Sequence, residues 1–325
     1  MKDIAVIGCG HWGKNLVRNF YSLGALHTVC DVDKTKEKDA RQNYRGINFT
    51  ISYREVFDGP YIKAVVISTP AETHYSLAKK ALSSDKDVFV EKPLALEFEE
   101  AKEIVELADK KKRILMVDHL LQYHPAIIKL KKLVNTKKLG NLQYIYSNRL
   151  SIGKFRKEEN ILLSFAPHDI SVILSLVGKM PIKIDAFGEA YLQPDVYDTT
   201  LTTLTFSKQL KAHIFVSWLH PFKEQKLVVI GEKNMAVFDD QSDEKLVLYP
   251  HRVKWINGMP IASKAPYKVV PTEPQEPLKR ACEHFIKCVK DRTTPLTDGR
   301  EALRVMEVLH KAQVALEKNR YEKKK

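Results

Sequence analysis

The sequence predicts an α/β chain of two domains: a doubly wound parallel sheet first, then an α+β domain with a large, mostly antiparallel sheet. Three observations carry the prediction. Short apolar runs alternate with helix-forming stretches from the start of the chain, turn-length connections join strand-like segments from Leu142 onward, and 325 residues exceed the usual size of one domain. An apolar fraction of 44% and a charged fraction of 29% are those of an ordinary globular protein.

The first element is "IAVIG", an apolar strand that runs into "GCGHWG" and then the helical "KNLVRNF". Each glycine of this loop has a task. Gly8 permits the tight turn, Gly10 lets the backbone approach a pyrophosphate, and Gly13 lets helix and strand pack closely. His11 and Trp12 complete the loop and are expected beside the cofactor. Helix N-terminal N–H groups favour the anion, and Asp31, ending the second strand "ALHTVCDVD", stands where an acid binds the adenosine ribose hydroxyls. A carboxylate there repels a 2′-phosphate, so the expected cofactor is NAD.

The pattern repeats. "AVVIST" leads into "STPAETHYSLAKKAL", "DVFVEKP" is followed by "LEFEEAKEIVELADKKK", and "ILMVDH" is a further strand. Ligands of such sheets bind beyond the carboxyl ends of the strands, which directs Ser68, Thr69, Pro70, His74, Glu91 and Lys92 to the cofactor crevice. The boundary is placed near His119, giving a cofactor domain over 1–118 and a substrate and oligomerisation domain over 119–325.

The second domain is read from "LQYIYSNRLSIG", "IKIDAFGEAYL", "TTLTTLTF", "KAHIFVSWL", "KLVVIGEKNMAVFDD" and "KLVLYPHRVKWI", with "PLKRACEHFIKCVKD" and "GREALRVMEVLHKAQVALEKN" as closing helices. In "SFAPHDISVILSLVG" the apolar residues fall at helical spacing, Gly178 ends the helix, and Pro167 suits a first turn. His168 would then lie in that first turn, where the helix dipole keeps an imidazole neutral and able to accept a proton.

Composition narrows the classes. The net charge of +13 suits an anionic partner, but "DKKKR" closes a helix and "YEKKK" is terminal, and no nucleic-acid module accompanies the charge. Four cysteines without CxxC spacing argue against a disulfide framework or structural zinc, and no cluster has metal-ligand spacing, so no metal is expected. Ile4–Ile7 is too short for a signal-peptide core and no segment reaches a membrane span, so the expected address is the cytoplasm, with no membrane and no nucleic-acid partner.

Taken in order, "GCGHWG", "STPAETH", "VEKPLAL", "FAPHDISVILSLVG" and "AHIFVSWLHPFKEQKLVVIG" resemble the Gfo/Idh/MocA oxidoreductases, which join a Rossmann domain to an α/β substrate domain. The resemblance implies that Lys92 lies between nicotinamide and substrate, hydrogen-bonding the reacting hydroxyl, with a cis Lys-Pro bond common, and that His168 is the general base. Taken alone, Lys92 is a strand-end lysine and His168 a histidine near an apolar helix. Many members carry Asp four residues before the histidine, where this chain has Ser164, and arginine where Gln122 stands beside the nicotinamide end. Serine can bond a sugar hydroxyl but cannot charge-balance the histidine, which argues against the polyol branch. Tyr123 and His124 either line the substrate site or pack, and Arg149, Lys154 and Arg156 would suit a diphosphate.

The expected function is therefore NAD-dependent oxidation of a secondary alcohol on a nucleotide sugar. The resemblance is strongest to a branch found with nucleotide-sugar and lipopolysaccharide pathways, including lipid A synthesis, and the 3-hydroxyl of UDP-N-acetylglucosamine is the first candidate. A free sugar or inositol is the alternative substrate, a non-enzymatic NAD sensor the alternative class, and a homodimer or homotetramer the expected assembly.

Overall fold

The computed structural model describes residues 2–153, 155–157 and 159–322, the side chains of 321 and 322 excepted. Lys154 lies outside the described residues. The elements in chain order begin with β1 (Ile4–Ile7), α1 (Gly13–Ser22), β2 (Leu26–Cys30), α2 (Lys36–Asn43), β3 (Asn48–Thr50), α3 (Tyr53–Asp58) and β4 (Ala64–Ile67). There follow α4 (His74–Ser83), β5 (Asp87–Val90), α5 (Phe98–Lys111), β6 (Leu115–Val117), α6 (Pro125–Asn135), β7 (Leu142–Leu150) and α7 (Ile161–Val177). Then come β8 (Lys183–Glu189), β9 (Thr199–Thr205), β10 (Lys211–Ser217), β11 (Glu224–Gly231), β12 (Met235–Asp239), β13 (Leu246–Tyr249), β14 (Arg252–Ile256), β15 (Met259–Ser263) and β16 (Lys268–Val269). Helices α8 (Pro277–Asp291) and α9 (Gly299–Glu322) end the chain.

The first compact unit holds a parallel six-stranded sheet in the order β3-β2-β1-β4-β5-β6. Its central strands β1 and β4 are apolar and buried at every position, as strands covered on both faces must be, and β5 is buried throughout although it starts on Asp87, which accepts the Ile114 N–H at 2.8 Å. The order reverses at β1 and β4, which places the ligand crevice beyond their carboxyl ends.

The two units are Met1–Tyr123 with Glu276–Met306, and His124–Gln275 with Glu307–Lys325. The domain expectation of 1–118 and 119–325 thus differs in that the break falls after Tyr123 and Glu276–Met306, which is α8 with the start of α9, belongs with the first unit. The reason is apolar. Leu278, Ala281, Cys282 and Phe285 are buried in the same core as Phe20 and Phe89, and the Phe20 ring meets those of Phe89 and Phe285 edge-on, each at 6.3 Å.

The second unit is an eight-stranded sheet, β16-β13-β12-β11-β7-β10-β9-β8, antiparallel except where β10 runs parallel to β7. Helix α7 packs on β7, β9 and β10, and β9 turns Thr200, Thr202 and Leu204 inward while Leu201 stays exposed. The expected segment "KLVLYPHRVKWI" divides into β13 and β14, and an addition to the elements expected from the sequence is β15, which pairs with β14 in a hairpin. Asn257 and Gly258 turn it with φ of 51° and 76°, the positive pair that an Asn-Gly hairpin turn uses. No helix among the described residues is long and apolar enough to cross a membrane.

Candidate active site

The glycine loop is built by close approach. A Cβ on Gly8 would lie 2.5 Å from the Ser68 carbonyl oxygen and one on Gly13 would lie 2.1 Å from the Gly8 oxygen, so the turn and the start of α1 exist only with glycine there. Gly10 differs, because a Cβ there would meet nothing within 4 Å. It faces open space, which is what approach of a pyrophosphate needs. The first turn of α1 carries no acid to repel an anion and no side chain caps it, though the Lys14 and Asn15 N–H groups already donate to the Gly10 and Trp12 carbonyls at 3.3 and 2.8 Å.

Beside this loop is a cavity of about 620 Å³, lined by Gly8, Gly10, Asp31, Ser68, Thr69 and Pro70 among others. Asp31 accepts the Cys9 N–H at 2.6 Å on Oδ2 and the Asp33 N–H at 2.9 Å on Oδ1. Each oxygen has a second lone pair, enough to accept from ribose hydroxyls. Ile51, Tyr53 and Lys80, not expected from the sequence, also line the cavity, with the Lys80 ammonium 5.5 Å from the centre of the Tyr53 ring. An open Gly10, a first helical turn without acid and a fixed carboxylate fit NAD.

The remaining expected cofactor residues take varied places. His74 is 1% exposed, with Nδ1 2.7 Å from the Pro93 carbonyl oxygen and Nε2 2.9 Å from that of Thr69, so its ring ties the two loops at the strand ends together. Lys92 is half-buried and its bond to Pro93 is cis. Glu91 is half-buried, and Gln122 is 2% exposed. His11 lies exposed in the loop.

Tyr123 is packing. Its ring is 4% exposed, its hydroxyl lies 3.1 Å from Thr297 Oγ1, and burial pushes the phenol well above its ordinary range. Of the two roles left open for Tyr123, the packing one is what its burial and its Thr297 partner match. His124 caps α6, its Nδ1 accepting the Ala126 N–H at 3.1 Å, and its Nε2 lies 3.5 Å from Asp240.

In the second unit the helix carrying His168 starts earlier than expected. Asn160 caps it by accepting the Leu163 N–H at 3.2 Å, and Pro167 lies inside the helix. His168 is therefore in the third turn, and the argument that a helix N-terminus keeps it neutral does not apply. Proline without an N–H deprives the Leu163 carbonyl of its helical donor, and the helix continues because its apolar face is buried. Ser164 lies one turn before His168 and is buried.

Arg149 is also placed differently from a phosphate clamp. It is 8% exposed, its Nε donates to Asp169 Oδ2 at 2.6 Å and its Nη2 to Oδ1 at 3.3 Å, while Ser147 donates to the same Oδ1 at 2.5 Å. The guanidinium is spent on fastening α7 to β7, so it does not present itself to a diphosphate. Arg156 is the more open cation, with Nε 3.0 Å from Glu159 Oε1 and a side chain 40% exposed.

A residue the sequence reading passed over is Asp118, which is 1% exposed and lies within hydrogen-bonding reach of Glu91. It closes β6 as Glu91 closes β5, so the strand-end rule that found Glu91 also points to it. Among the described residues no group of three or more His, Cys, Asp and Glu could hold a metal ion.

The profile of the Gfo/Idh/MocA oxidoreductase family, NAD-binding Rossmann fold, matches residues 2–119, and that of the Gfo/Idh/MocA C-terminal domain matches residues 127–237. The chain belongs to the Gfo/Idh/MocA oxidoreductases. NAD is the cofactor of this Gfo/Idh/MocA chain. It is similar to the UDP-N-acetylglucosamine 3-dehydrogenase of Acidithiobacillus ferrooxidans, 23% identical over 96% of this chain and 96% of that protein. A solved structure of that enzyme matches with a TM-score of 0.84, covering 97% of each chain. Scyllo-inositol 2-dehydrogenase (NAD(+)) of Bacillus subtilis is 26% identical over 94% of this chain and 91% of its own. A solved oxidoreductase from Magnetospirillum magnetotacticum is 28% identical with a TM-score of 0.82, covering 95% of this chain and 99% of that one.

Proposed function

We propose that this Gfo/Idh/MocA chain oxidises a secondary hydroxyl of a nucleotide sugar with NAD, the 3-hydroxyl of UDP-N-acetylglucosamine being the first candidate. The observation that carries the reading is the alignment with UDP-N-acetylglucosamine 3-dehydrogenase over 96% of both chains. Lys92 at the end of β5 and His168 on α7 are the two residues that a dehydrogenase needs and a passive NAD binder does not.

In this reading NAD, when bound, supplies the hydride acceptor. The Lys92 ammonium donates a hydrogen bond to the reacting hydroxyl oxygen, holding it and stabilising the charge that grows as its proton leaves. His168 takes that proton at an imidazole nitrogen. Ser164, in place of a carboxylate, offers a hydroxyl toward substrate without adding charge, and Arg156, paired with Glu159 through Nε, offers its remaining guanidinium N–H groups to a diphosphate.

Free thiols at Cys9, Cys30, Cys282 and Cys288 support a reducing, cytoplasmic setting. A homodimer or homotetramer is part of the proposal, supported by Phe187 and Leu201, cross-strand neighbours that are 51% and 38% exposed on the sheet.

The similarity to scyllo-inositol 2-dehydrogenase favours a second reading, oxidation of an inositol or free sugar. The test is to incubate the protein with NAD and either UDP-N-acetylglucosamine or scyllo-inositol, trap ketones with hydroxylamine, and identify the oxime by mass spectrometry. An oxime on the nucleotide sugar alone supports the first reading. An oxime on inositol alone replaces it with the second.

A further inference from the structure

Val90 stands opposite Val117 in the parallel pairing of β5 and β6, so the next residue on each strand, Glu91 and Asp118, leave the sheet side by side. Backbone hydrogen bonds continue the ladder through them: the Asp118 N–H donates to the Val90 carbonyl at 2.8 Å and the Glu91 N–H to that of Ile67 at 2.9 Å. Their carboxyl groups lie within hydrogen-bonding reach of each other and of the Trp12 side chain of the glycine loop. Asp118 is 1% exposed. Glu91 Oε1 and Asp118 Oδ1 are sealed from solvent, and no N–H or O–H donor among the described residues reaches either.

An ionised carboxylate only accepts hydrogen bonds, so two such groups bond each other only through a proton. Two full charges side by side in a sealed place also repel too strongly for both to ionise. Burial and the neighbouring Asp118 push Glu91 well above the usual carboxylate range, and burial raises Asp118 as well.

The groups facing the pair are Lys92, next along the chain from Glu91; Trp12; His119, whose Nδ1 lies 2.6 Å from Glu301 of α9; the Cys282 thiol of α8; and the Tyr123 phenol. Burial raises both the thiol and the phenol, which therefore stay neutral. Lys92 brings the ammonium of this set.

We propose that Glu91 and Asp118 hold one proton and one negative charge between them, and that this single charge is the positioning partner of the Lys92 ammonium. Lys92 is thereby kept protonated as a hydrogen-bond donor, while the shared proton prevents a second charge from locking the ammonium into the pair. The value of the device to catalysis rests on the dehydrogenase reading; the shared proton and its hold on Lys92 do not.

The test uses the full chain and needs no substrate. Infrared spectra at neutral pH read the carbonyl stretch of a protonated carboxyl in wild type, E91Q and D118N. In parallel, reductive ¹³C-methylation and NMR follow the titration of Lys92, assigned through the resonance missing in K92R. One amide keeps one charge and supplies the donor that the shared proton supplied, so E91Q and D118N should fold, lose the infrared band and leave the Lys92 midpoint in place. The double variant E91Q/D118N removes the charge and should move the midpoint down by about one unit or more. Absence of the band in wild type overturns the shared proton, and an unmoved midpoint in the double variant overturns the positioning role. Neither result bears on the substrate, whose assay fails or succeeds separately.

Discussion

Cys9 donates its backbone N–H to the Asp31 carboxylate at 2.6 Å, which joins the glycine loop to the acid at the end of β2. The carboxylate is therefore held in place before a ribose arrives. Asp31→Ala should weaken NAD binding about 10- to 100-fold, the range of hydrogen bonds to a charged group. It should also narrow the preference for NAD over NADP. Fluorescence titration with both nucleotides checks this, and an unchanged ratio would mean that the ribose is bound elsewhere.

Gly10 and Gly13 separate binding from folding. Gly10→Ala adds a methyl into open space and should leave thermal stability near wild type while weakening NAD. Gly13→Ala puts a methyl 2.1 Å from the Gly8 carbonyl oxygen and should cost about 1–3 kcal/mol of stability as well, as overpacking does. Equal melting temperatures for the two variants would contradict the packing argument.

Lys92→Ala and His168→Ala should each lower kcat about 10²–10⁴-fold with NAD affinity within twofold of wild type. A variant that keeps the wild-type rate makes its residue structural.

Arg18 and Glu276 tie α1 to the start of α8 through an exposed pair at 2.5 Å. The Arg18 hydrogen bond holds the Glu276 carboxyl below its ordinary value of 4.5, so its stabilisation is present above that pH and is lost as pH falls through the lowered value. Glu276→Gln should cost a few tenths of a kcal/mol at neutral pH, the scale of exposed pairs, and nothing once Glu276 is protonated. Urea melts of both proteins across the acid range should converge.

The first unit was legible because its signals are local: Gly8, Gly10 and Gly13 sit within one turn of Ile4–Ile7, and the strand-end residues follow their strands directly. What escaped was long-range. The register of β5 against β6 decides that Asp118 meets Glu91, and α8 joins the first unit because Phe285 meets Phe20 across more than half the chain. The start of α7 was misplaced because Pro167 looks like a first-turn proline, whereas Asn160 carries the cap. Arg149 looked like a free cation because nothing local in the sequence shows that Asp169 lies against it.

The most direct measurement is absorbance at the NADH band for the purified protein with NAD and UDP-N-acetylglucosamine, a coupling aminotransferase, glutamate and pyridoxal phosphate removing the ketone. NADH formation that vanishes when the nucleotide sugar is omitted is the predicted result. No NADH, from protein that binds NAD and with a coupling system shown to be active, would contradict the nucleotide-sugar dehydrogenase account.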